Sequence, residues 1–87
     1  METRVRDWVL QWFQQHTGVE ILELSRKGDE NYFDNGYIDS FAFIGMISDI
    51  EARWDISFSN DQFLDQSFVT INGLVANIVK GVCKDGI

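Results

Sequence analysis

The chain has 87 residues, with 7 Lys and Arg against 14 Asp and Glu, a formal charge of −7. That balance excludes a basic nucleic-acid footprint and disfavours an anionic membrane surface, and it favours partners that carry basic patches. The length predicts one domain, residues 1–87, with a core too small for a deep active site. The single cysteine, Cys83, cannot close an internal disulfide or build a thiolate metal cluster, which fits a reducing, cytoplasmic setting. Met1-Glu2-Thr3-Arg4 lacks the apolar core of a signal peptide, and no run nears the ~18 apolar residues of a membrane span.

Apolar spacing predicts a first helix from about Glu2 or Thr3 to His16. Val5, Trp8, Val9, Trp12 and Phe13 form one stripe, with Arg4, Asp7, Gln11, Gln14 and Gln15 opposite, and Gly18 is the stop. The stripe reads as core, because a domain this small needs its aromatics inside. Residues 19–39 read as a long loop with one helical turn near Ile21–Leu24, although structureless stretches of this length are uncommon in compact domains. Tyr32 and Phe33 are expected to pin that loop to the core. Asn35-Gly36 is a turn signal, because glycine accepts positive φ without steric cost and asparagine tolerates it.

Asp39 stands where a helix N-cap belongs, and a second helix is expected from Ser40 to Arg53. Phe43, Ile44, Ile47, Ile50 and Trp54 give it helical spacing. Ser40 therefore falls at the mouth of a helix, with its hydroxyl in water. Gly45 costs this helix about 1 kcal/mol relative to alanine, and close approach by another helix or by a partner would explain it. Asp55-Ile56-Ser57-Phe58 alternates like a strand but has nothing to pair with, so it reads as an extended connector that returns Ile56 and Phe58 to the core. A short third helix follows Ser59, near Asn60 to Leu64, anchored by Phe63. Thr70 caps a fourth, whose inner stripe is Ile71, Leu74, Val75, Ile78, Val79 and Val82. Lys80 and Lys84 favour its negative end, and Gly81 and Gly86 suggest fraying there. The predicted class is all-α: three main helices and a short third one in up-down packing, after a long first loop.

Few residues offer chemistry. Ser40 lacks a G-x-S-x-G elbow, and the one histidine, His16, belongs to the first helix, so a hydrolase is disfavoured. A calcium loop with Gly36 at position 6 would put Phe33 and Ala42 where oxygen ligands are required, so that reading fails and no metal site is expected. Cys83 reads as an incidental thiol, and the other carboxylates as solvated surface. What the position of Ser40 does suit is an anionic ester, which would face unpaired helix N–H groups and the positive end of the dipole.

The order Gly36-Tyr37-Ile38-Asp39-Ser40-Phe41, followed by an amphipathic helix, resembles the acyl and peptidyl carrier protein family over nearly the whole chain. Phe41 replaces the usual leucine after the serine. The resemblance implies a four-helix carrier bundle without catalysis of its own. It implies a 4′-phosphopantetheine arm on Ser40, supplied from coenzyme A by a phosphopantetheinyl transferase that also reads Asp39. Cargo would ride as a thioester, loaded by an adenylating enzyme or acyltransferase onto a monomeric protein. Phe41, Ile44, Ser48 and Asp49 are the expected docking face, and the apolar stripes are expected to leave a small cleft for short cargo. Gly45 and Ser48 replace an acidic and a bulky apolar residue of the fatty-acid carriers, leaving Asp49 and Glu51 as acids. The run from Phe33 to Ser40 looks closer to stand-alone carriers of amino-acid-activating, nonribosomal peptide or polyketide systems, including D-alanyl carriers. The competing class is an acidic helical interaction module without a prosthetic group.

Overall fold

A computed structural model describes residues 2–85, apart from the side chains of Asn60, Leu64 and residues 83–85. The expectations for Cys83, Lys84 and Gly86 fall outside the described residues. The elements are α1 (Glu2–Thr17), α2 (Ile21–Arg26), α3 (Ser40–Trp54), α4 (Asn60–Leu64), a 3-10 turn (Gln66–Val69) and α5 (Ile71–Asp85). No strand occurs among the described residues, and the one isolated bridge joins Asn31 to Thr70. The all-α expectation is met.

Three helices begin where local side chains cap them. Asp39 Oδ1 accepts the Ala42 N–H at 2.8 Å. Ser59 and Gln62 form a reciprocal capping box. Thr70 Oγ1 accepts the Gly73 N–H at 3.0 Å. The α1 stripe packs against both α2 and α5, so its buried face is wider than the predicted one and takes in Leu10. Trp8, at the edge of that face, is only half-buried. On α5 the inner stripe is as expected, with Ile71, Leu74, Val75 and Ile78 buried and Val79 and Val82 packed against them. Ile56 is buried in the extended connector and Phe58 is half-buried.

The first loop departs from expectation, because α2 continues past Leu24 to Arg26. Its Glu20 cap makes no side-chain bond. A six-residue helix without a cap does not stand alone in water; here Leu24 is fully buried, α1 packs against the helix, and Glu23 pairs with Lys27 at 3.6 Å.

The rest of the loop is tied to α5 and the 3-10 turn. Asn72 donates its backbone N–H to Gly28 O at 2.9 Å and its side-chain amide to Asp29 at 2.7 Å, and it accepts from Arg6. Tyr32 donates its N–H to Val69 O and its hydroxyl to Phe68 O. Burial pushes the Tyr32 phenol above its ordinary pKa. Tyr32, Phe33, Phe43, Phe63 and Phe68 interlock ring on ring at 5.1–6.3 Å. These rings cluster behind the first turn of α3, with Phe33, Phe43 and Phe63 half-buried.

Helix α3 ends at Asp55, held left-handed with φ 53° and its N–H on Glu51 O. A side chain there costs about 1 kcal/mol that glycine avoids. Asp55→Gly is therefore expected to stabilise the fold by up to that amount, read as a higher urea midpoint at an unchanged m-value.

Candidate functional site

Ser40 is the first residue of α3, and its side chain is exposed. The chain reaches it through Gly36, at φ 72°, and through Ile38, which is buried and anchors the approach to the helix. Asp39 is extended (φ −102°, ψ −179°), so its carboxylate turns back onto the Ala42 N–H while its carbonyl accepts from Phe43 N at 2.9 Å. Among the described residues, the N–H groups of Ser40 and Phe41 have no protein acceptor. They sit at the positive end of a 15-residue helix, beside the serine hydroxyl. That donor set fits a phosphodiester esterified at Ser40, and the hydroxyl stands in the open where a modifying enzyme can reach it.

Nothing activates Ser40 as a nucleophile of its own. His16 Nδ1 lies 2.8 Å from Trp12 O, and its ring stacks on Trp12 at 3.7 Å. No hydrogen bond links it to Ser40 among the described residues. Those residues also hold no cluster of His, Cys, Asp or Glu able to bind a metal, and no helix long and apolar enough to cross a membrane.

The expected docking residues separate into two groups. Phe41 is 86% exposed and Ile44 65%, so both stand out beside Ser40. Ile44, though spaced with Ile47 and Ile50, does not share their buried face. Met46, fully buried, takes the inward place with Ile47 and Ile50. Ser48 is exposed on the Ile44 side. Asp49 is exposed too, but its Oδ2 accepts from Trp12 Nε1 at 3.2 Å and braces α3 against α1. The other acid of α3, Glu51, accepts the Phe58 N–H at 3.1 Å. Both acids of the helix are therefore engaged within the chain. A Cβ built on Gly45 meets no atom within 4 Å, so no other helix of this chain explains that glycine. Leu22 on α2, 69% exposed, is an apolar surface residue that sequence reasoning passed over as part of a loop.

Residues 7–78, which span this site, match the family described as the phosphopantetheine attachment site. The chain belongs to that family. It is similar to the D-alanyl carrier protein of Lactobacillus acidophilus (strain ATCC 700396 / NCK56 / N2 / NCFM), at 36% identity over 56 residues, 64% of this chain and 71% of the relative. The D-alanyl carrier protein of Lactobacillus helveticus (strain DPC 4571) is likewise 36% identical over 56 residues, with the same coverage. That of Leuconostoc mesenteroides subsp. mesenteroides is 30% identical over 66 residues, 69% of this chain and 85% of the relative. No solved structure matches the chain. As a phosphopantetheine carrier, the protein is a substrate for modification and performs no catalysis itself, and phosphopantetheine is its cofactor.

Proposed function

We propose that Ser40 holds the phosphopantetheine arm and that residues 1–87 act as one monomeric carrier domain for a small acyl or aminoacyl group. The carrying observation is the exposed Ser40 hydroxyl at the start of α3, beside two unpaired N–H groups. A phosphopantetheinyl transferase supplies the arm from coenzyme A. The arm's terminal thiol holds the cargo as a thioester; the protein contributes attachment, reach and recognition. Asp39 keeps the helix mouth in shape, and Phe41 and Ile44 offer the apolar contact next to it. The D-alanyl relatives make D-alanine, loaded by an adenylating enzyme in the cytoplasm, the first cargo to test; nonribosomal peptide or polyketide intermediates come second. Intact mass after incubation with coenzyme A, magnesium and a broad-specificity transferase tests the attachment. A gain of one phosphopantetheine supports it, and no gain on folded protein with several transferases sinks it.

With the Asp49 and Glu51 carboxylates tied to partners within the chain, the uncharged side chains Phe41, Ile44 and Ser48 supply the contacts of the docking patch on α3. Ile44→Glu is expected to lower the transferase's kcat/KM at least about tenfold, through KM, as loss of a central apolar contact does. The wild-type KM should shift little with added salt, since screening weakens only charged contacts. A steep salt dependence with an indifferent Ile44→Glu variant would instead assign docking to charges elsewhere.

A further inference from the structure

The geometry points to a second docking site, a tryptophan-floored groove between α1 and the end of α3 that takes a short acidic segment of a partner protein. The groove is about 770 Å³ and is lined by Arg4, Asp7, Trp8 and Gln11 of α1 and by Arg53 and Trp54 of α3. It runs on past Trp8 and Gln11 into a smaller hollow of about 280 Å³ that reaches Trp12 and His16. All three tryptophans of the chain line this path.

Trp8 and Trp54 meet edge to face at 5.2 Å and stay half-buried. Their outer surfaces form an apolar floor. Arg53 lies over Trp54, its Cζ 5.6 Å from the ring, which holds the guanidinium at the rim. Arg4 stands on the rim from α1. Neither arginine has a salt bridge among the described residues.

The occupant follows from the charges. The chain is at −7, yet two of its 7 basic residues converge on this groove against one carboxylate, Asp7, while Asp49 in the adjoining hollow is held by Trp12 Nε1. Arginine is the side chain that takes a carboxylate in a bidentate grip, and half-exposed tryptophan offers flat apolar area. The matching ligand is a peptide segment with Asp or Glu next to an aromatic or leucine side chain. A membrane surface fits poorly, because an anionic bilayer repels the rest of the chain. Ser40 to Arg53 is about 20 Å along α3 at 1.5 Å per residue, so a protein held here leaves the helix mouth open. The proposal stands on the groove alone and does not depend on the role of Ser40.

The test selects random displayed peptides on the full chain and titrates the enriched ones by tryptophan fluorescence, which reads the groove directly. The expected result is enrichment of sequences that place Asp or Glu beside Trp, Phe or Leu. Arg4→Glu/Arg53→Glu should weaken them at least about tenfold, as reversing both charges of an ion-paired contact does. Circular dichroism of that variant should match wild type, both side chains being exposed, and its urea midpoint should fall only slightly, through loss of the Arg53–Trp54 contact and of a cation in the last turn of α3. The proposal is overturned by the absence of enrichment, by enriched peptides without acids, or by equal affinity in the double variant. Tight binding to anionic phospholipid vesicles that the double variant loses would give the groove to a membrane. A dimer in sedimentation that the same variant dissociates would give it to a second copy.

Discussion

Ser40→Ala is expected to eliminate the gain of one phosphopantetheine in the intact mass while leaving the protein folded. Under the proposed attachment the loss should be complete, since the arm would be esterified to that hydroxyl oxygen. The fold should survive because the side chain is exposed, makes no described hydrogen bond, and stands at the first position of α3, where alanine is a good helix former. That separation is what makes Ser40 the residue to change. Asp39→Ala would remove the cap on Ala42 and cost about 1 kcal/mol, mixing loss of recognition with loss of helix. In a small domain with roughly 3–5 kcal/mol to lose, that confusion matters. A mass gain that persists in Ser40→Ala would place the attachment on another side chain. A folded wild type that several transferases leave unmodified would favour the acidic interaction module.

The parts of the fold that were legible in the sequence are those decided by neighbours along the chain. Asp39 with Ala42, Ser59 with Gln62 and Thr70 with Gly73 are caps within one helical turn, so the starts of α3, α4 and α5 could be read directly. The exposure of Ser40 follows from the same local logic. What was hidden depends on contacts across the fold. A helical turn was legible near Ile21–Leu24, but its extension to Arg26 depends on Leu24 finding a place against α1. Residues 41–50 hold more apolar side chains than one inward face accepts, and packing alone decided that Met46 goes in and Ile44 comes out. Asp49 reads as a free surface acid until Trp12, on another helix, is seen to donate to it. Its position is fixed by that contact across the fold, which no neighbour along the chain announces.

Two of the three glycines inside long helices, Gly45 and Gly73, carry the same lesson into an experiment, because one substitution should act on them with opposite signs. Gly73→Ala is expected to cost about 3 kcal/mol, at the top of the usual range for overpacking, and to take away most of the stability of the fold. A Cβ on Gly73 would land on the Ser67 carbonyl oxygen and press on Thr70 Oγ1 as well. Neither can withdraw cheaply. Ser67 O accepts from Thr70 Oγ1 at 3.2 Å, and Thr70 Oγ1 caps Gly73 itself at 3.0 Å. To make room, the 3-10 turn must move, and with it Phe68, which is fully buried and accepts the Tyr32 hydroxyl bond that pins the first loop. Gly45→Ala meets open space and should stabilise by about 1 kcal/mol, the ordinary helix preference for alanine over glycine. Urea unfolding of the two variants beside wild type decides it. A Gly73→Ala protein as stable as wild type would mean that the 3-10 turn yields freely and is not the clamp between α5 and the loop leading to Ser40. A destabilised Gly45→Ala would mean that α3 tolerates no ordinary helix former at a position open to solvent, against the geometry of its exposed face.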